Sequence, residues 1–107
     1  MGQELIVLVT CPASHADGLA RSLVEEKLAA CVNIVRNVTS IYRWEGQVAS
    51  DSEDLLVIKS NKQRWNELTK RAKELHTYDT PEIICFDIAD GYKPYIDWLN
   101  SSLRQGD

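Results

Sequence analysis

The chain holds two histidines, and one of them opens a run of side chains able to do chemistry: His76-Thr77-Tyr78-Asp79-Thr80-Pro81-Glu82. An imidazole can ligate a metal or carry a proton near pH 7. Glu82 can ligate a hard or borderline ion, and Asp79 can assist it. His76 and Glu82 are separated by a turn that ends in Pro81. That spacing follows neither helix nor strand geometry, so only the fold decides whether the two meet. The plainer reading of His76 is an imidazole just past Leu75 that complements the last carbonyls of a helix. For Tyr78 the plainer reading is packing against a neighbouring helix.

Cys11, Cys31 and Cys85 are the other ligand types present. They lie far apart, their number is odd and no C-x-x-C occurs, so neither a disulfide framework nor a structural zinc site is indicated. A lone cysteine on a strand ordinarily behaves as a small hydrophobe. Lys59 can contact an anion, although a strand-end lysine in solvent is the ordinary case. Of three tryptophans, Trp65 reads as core, while Trp44 and Trp98 suit interface anchors. No P-loop, G-x-G-x-x-G or H-E-x-x-H occurs.

These residues need a scaffold, and the hydrophobic pattern supplies one. Glu4 to Thr10 is short, β-branched and apolar on both faces, which predicts a buried strand. Ser14 and Asp17 resemble a capping box before a helix carrying Leu19, Ala20, Leu23, Val24 and Leu28 on one stripe. Cys31 to Trp44 reads as a long strand. Its even positions are the more apolar and are expected to face the core, with Arg36 and Ser40 as exceptions. Glu45-Gly46 turns the chain into a second long strand, Gln47 to Ser60.

Ser60 or Asn61 is expected to cap a second helix with the stripe Trp65, Leu68, Ala72 and Leu75. Ile83 to Ile88 predicts a short buried strand. After Asp90-Gly91, a last helix presents Tyr95, Ile96, Leu99 and Leu103, with Pro94 near its start. The order predicts an α+β fold: a ferredoxin-like βαββαβ unit with an antiparallel sheet, a long β2-β3 hairpin and an extra C-terminal helix.

At 107 residues the chain suits a single domain spanning 1–107. Such a chain hides roughly 65% of its unfolded surface. Arms of about 12 residues exceed what that core can cover, and the tip carries Tyr42, Trp44 and Val48. An apolar tip of this kind is a partner surface or an aggregation hazard. Sixteen acidic against 12 basic residues give a net charge of -4, which argues against non-specific nucleic-acid binding. An RNA-recognition reading also lacks the required aromatic motif. The start has no basic segment followed by an apolar stretch of signal-peptide length, and no run is long enough to span a bilayer. With free thiols, the expected location is the cytoplasm.

Four segments resemble the signature of the CutA divalent-cation-tolerance family. They are Leu28-Ala29-Ala30-Cys31-Val32-Asn33, Ser40-Ile41-Tyr42-Arg43-Trp44-Glu45-Gly46, His76 to Glu82, and Tyr95-Ile96-Asp97-Trp98-Leu99. They fall in order and at the family's spacing over nearly the whole chain. The resemblance implies a ferredoxin-like protomer in a PII-like homotrimer, with the hairpin reaching across to neighbouring subunits. It implies binding of a divalent cation, Cu²⁺ among the candidates, in clefts between subunits. His76 and Glu82 match its H-x-Y-x-x-P-E loop as metal candidates, and Cys11 lies near the position of a copper-associated cysteine. Asn33, Tyr42, Trp44, Lys59, Tyr78 and Trp98 fall at motif positions that line the cleft.

The leading expectation is a homotrimeric metal-binding protein that engages neither nucleic acid nor membrane. The alternative is a PII-like signalling module whose cleft binds a small anion through Lys59 and Arg43. An enzyme using His76 and Glu82 ranks last, because no nucleophile or oxyanion site is evident.

Overall fold

A computed structural model describes residues 2–105. The elements run β1 (Glu4–Cys11), α1 (Ala13–Glu25), β2 (Cys31–Trp44), β3 (Gln47–Asn61), α2 (Trp65–Leu75), β4 (Ile83–Asp87) and α3 (Lys93–Ser102). The four strands form one sheet in the order β2-β3-β1-β4, and every neighbouring pair is antiparallel. This is the expected ferredoxin-like α+β arrangement with its long hairpin and C-terminal helix.

Period-two alternation builds the core. Leu5, Val7, Val9 and Cys11 of β1 and Leu56 and Ile58 of β3 turn one way and are buried. Ala16, Leu19 and Leu23 of α1 and Leu68 and Ala72 of α2 join them in one cluster. The other face of β1, with Ile6 and Leu8, is only partly covered in the protomer. There Ile6 stands opposite Phe86 and Leu8 opposite Ile84, and both β4 side chains are about half exposed. The expectation of a β1 buried on both faces and a buried β4 is therefore corrected, because the two helices cover only one side of the sheet. Leu99 and Leu103 pack with Ala30 in a separate cluster that Ile88 flanks. Asn100 Nδ2 donates to Glu4 Oε2 at 2.9 Å and ties α3 to the start of β1. Tyr95, expected on the apolar stripe of α3, is exposed.

Helix ends depart from the sequence reading. Pro12 occupies the N-cap of α1, and no side chain caps it. Asp17 pairs instead with Arg36. At the other end, Leu28 N–H reaches Leu23 O and Lys27 N–H reaches Val24 O, with Lys27 at φ 59. These bonds are a Schellman closure with lysine at the position that favours glycine. Neither Ser60 nor Asn61 caps α2, since β3 continues through Asn61. Ser60 Oγ donates to Leu28 O, and Asn61 Oδ1 accepts Arg64 N–H in the intervening turn.

The hairpin carries an irregularity that decides which side chains share a face. Val35 pairs with Leu55, yet Val38 pairs with Glu53. Two residues of β2, Arg36 and Asn37, thus stand against Asp54 alone, which is a β-bulge. The buried Asp54 holds it in place. Its Oδ2 accepts Arg36 Nη1 and its Oδ1 accepts Asn37 N–H, both at 3.0 Å. Asn37 takes φ 59. One extra residue reverses the alternation. Val32 and Ile34 face the helices, but Val38, Ser40, Tyr42 and Trp44 share the opposite face with Glu53 and Asp51. The expectation that all even positions face the core holds only as far as the bulge. Glu45 and Gly46 then close the hairpin, both at positive φ, as a two-residue turn requires.

Candidate functional site

A groove of about 640 Å³ lies between the hairpin and the loop that follows α2. Tyr42, Trp44, Asp51 and Glu53 form the hairpin side, and Tyr78, Asp79 and Glu82 the loop side, with Thr10 at the end of β1 between them. The bulge explains the first group. Without it, Tyr42 and Trp44 would stand on the face opposite to Asp51 and Glu53.

His76 fixes the loop. Its Nε2 lies 2.7 Å from Thr10 O and its Nδ1 accepts Tyr78 N–H at 3.1 Å. Such bonding requires the neutral tautomer with the proton on Nε2. His76 also serves as the C-cap residue of α2, its N–H reaching Lys73 O. The His76 and Tyr78 rings pack at 4.7 Å between centroids. His76 therefore sits behind the groove lining and sets the position of Tyr78, while Glu82 lies on the lining itself.

Each tyrosine engages a carboxylate. Tyr78 Oη donates to Glu53 Oε1 at 3.0 Å, and Tyr42 Oη donates to Asp51 Oδ2. Burial, reinforced by the Glu53 bond and charge, pushes the Tyr78 phenol up to about 12. The bond to Asp51 raises the Tyr42 phenol as well. Glu53 retains only 8% exposure. The described lining includes four carboxylates and no lysine or arginine.

Cys11 is 1% exposed and belongs to the core beneath the sheet, not to the groove. Burial, with the charges of Asp54 and Glu53, pushes its thiol up to about 11. The thiolate that a soft metal needs is correspondingly disfavoured. Asn33 and Lys59 bond to each other on the sheet face, away from the groove lining. Trp98 lies on α3 against Tyr95, with ring centroids 5.4 Å apart. Arg43 donates to Gly46 O and pairs with Val48 beside the hairpin turn, whereas Lys59 pairs with Cys31 at the other end of the ladder. Of the residues singled out by sequence, the groove thus gathers Tyr42, Trp44, Tyr78, Glu82 and Asp79. Among the described residues, no three histidine, cysteine, aspartate or glutamate side chains converge as a metal set.

Sequence reasoning missed Asp51 and Glu53. The acidic run Asp51-Ser52-Glu53-Asp54 was their only signal. It divides its acids between two faces, with Glu53 in the groove and Asp54 at the bulge.

Comparison with known proteins agrees with this architecture. Residues 5–102 match the family model described as CutA1 divalent ion tolerance protein. The divalent-cation tolerance protein CutA of Thermus thermophilus is 48% identical over 100 residues, covering 92% of this chain and 97% of that one. The chloroplastic CutA protein of Arabidopsis thaliana is also 48% identical, over 94% of this chain but 56% of its own length. The crystal structure of CutA1 from Oryza sativa superposes with a TM-score of 0.93 at 42% identity, covering 98% of this chain and 97% of that one. On sequence, fold and coverage together, the chain belongs to the CutA1 divalent ion tolerance family.

Proposed function

We propose that this chain acts in the tolerance of divalent cations as a PII-like homotrimer, binding the ion where the groove opens between subunits. The observation that carries the reading is the position of the His76–Glu82 loop, which forms one wall of an acidic groove. Glu82 supplies an oxygen there. His76 supplies a nitrogen once Nδ1 gives up the Tyr78 N–H. Imidazole and carboxylate together suit Cu²⁺, and carboxylates alone suit harder ions. Cys11 is buried in the core and would join only if the end of β1 opened.

A protomer that presents two donors needs others, and a neighbouring subunit is the natural source. The half-exposed apolar side of the sheet supports assembly, as does the hairpin tip, where Trp44 is 64% exposed. Asn33, Lys59 and Trp98 lie outside the groove of their own protomer, and a role for them in the cleft would come from an adjacent copy. The acidic lining does not favour the alternative of an anionic ligand.

We read the whole 1–107 stretch as one domain that binds rather than catalyses. Among the described residues, no helix is long and apolar enough to cross a membrane. Three cysteines without a disulfide support a cytoplasmic location. Copper calorimetry on the wild type and on a His76→Ala/Glu82→Ala double variant tests the site. Affinity should fall at least about tenfold in the double variant. Unchanged affinity there would overturn the assignment.

A further inference from the structure

The tripeptide Ala-Asp-Gly occurs twice in the chain, at 16–18 and at 89–91. In both copies the aspartate and the glycine are exposed. Aspartate before glycine is open to one intramolecular reaction, because no β-carbon on the glycine hinders its backbone nitrogen from approaching the neighbouring carboxyl group. The fold treats the two copies differently.

Asp17 and Gly18 lie inside α1. There the Gly18 N–H is committed to the helical ladder. Arg36 Nη2 donates to both Asp17 carboxylate oxygens, at 3.0 and 3.1 Å. Asp90 and Gly91 lie between β4 and α3, outside any helix or strand. Gly91 N–H donates to Asp90 Oδ1 at 2.8 Å and makes no other hydrogen bond among the described residues. Nor does Asp90 join an ion pair among them. The nitrogen already rests against the carboxyl group whose carbon it would attack, and no ladder bond or ion pair has to break first. Ring closure at Asp17 would have to turn ψ away from its helical value and break the Gly18 ladder bond.

We propose that Asp90–Gly91 is a site of spontaneous backbone isomerisation, through a cyclic imide to isoaspartate, and that α1 protects Asp17–Gly18. In the first step Gly91 N bonds to Cγ of the protonated Asp90 side chain. The N–H proton and the carboxyl hydroxyl leave as water, which closes a five-membered succinimide. In the second step water opens the ring at the former main-chain carbonyl. The bond from that carbon to Gly91 N breaks, the nitrogen regains a proton, and the chain now runs through Cγ. One water leaves and one returns, with no oxidant or reductant. The main chain gains one carbon beside Ile96, a buried anchor of α3, where a β-carbon on residue 91 would already lie 2.7 Å from Cδ1.

The test is ageing of the assembled wild-type protein at neutral pH in oxygen-18 water, with a parallel sample unfolded in urea. Peptides from each are assayed with an isoaspartyl O-methyltransferase and S-adenosylmethionine, and their heavy-oxygen content is read by mass spectrometry. In the folded protein the Asp90 peptide should gain methyl label and one heavy oxygen at least about tenfold faster than the Asp17 peptide. In urea the two identical tripeptides should react at similar rates. Asp90→Glu, which would have to close a six-membered ring, should lose the label at that peptide while keeping the wild-type circular dichroism. Equal rates at Asp90 and Asp17 in the folded protein would overturn the role of the fold. An unlabelled Asp90 peptide in the folded protein would overturn the site itself, whatever the urea sample gives.

Discussion

At the scale of single residues, the groove depends on one phenol. Tyr78 joins the loop to the hairpin by donating to Glu53, a side chain with little access to water. Tyr78→Phe removes the only hydrogen bond Glu53 accepts among the described residues. The expected cost is about 1–3 kcal/mol in urea unfolding. The pH dependence has a definite sign. An unfolded tyrosine titrates near pH 10, and folded Tyr78 is pushed up to about 12. The folded state therefore holds the proton longer. Its contribution is complete below about pH 10 and is lost as pH rises through about 12. A decline in melting temperature over that range should be smaller in Tyr78→Phe. The loop containing Tyr78 could be recognised in the sequence because its polar residues are consecutive. Glu53 could not, because its partner lies 25 positions away and its facing depends on a bulge.

At the scale of elements, order and type followed from periodicity. Apolar alternation marked the strands, and three-four spacing marked the helices. Element ends were less legible, because tertiary bonds competed for the capping side chains. Asp17 goes to Arg36, and Ser60 goes to Leu28 O. The bulge was illegible for a similar reason. Arg36 looked like a polar exception on a core-facing strand, whereas it marks the point at which the strand changes face to satisfy Asp54. The closure of α1 offers a test at this scale. Lys27 holds φ 59 where a side chain is disfavoured. Lys27→Gly should therefore stabilise the protein by about 1 kcal/mol, read as a higher urea midpoint at constant m-value. A lower midpoint would show that the lysine side chain contributes more than its backbone strain costs.

At the scale of the whole molecule, the hairpin is too long for the core beneath it. Strands of 14 and 15 residues extend a protomer that measures 46 Å in its longest dimension and 26 Å in the next. α1 and α2 cover one side of the sheet, and on the other Ile84, Phe86 and the hairpin tip are exposed. Under the trimer reading, light scattering should give three times the chain mass. Trp44→Ala should then weaken assembly by about 2 kcal/mol or more, seen as a mass that falls on dilution. A wild-type monomer would contradict the reading. The apolar tip that outreaches its core is legible in the sequence, but the groove emerges only when the bulge brings Tyr42 and Trp44 beside Asp51 and Glu53.

The central claim is that the His76–Glu82 loop holds a divalent cation at the mouth of this groove. Its most direct test is a structure of the assembled protein loaded with copper. The account predicts one ion at the mouth, about 2 Å from a His76 nitrogen and from a Glu82 oxygen, with the Tyr78 N–H released from the imidazole. An ion bound elsewhere, with His76 still bonded to both Thr10 and Tyr78, would contradict it.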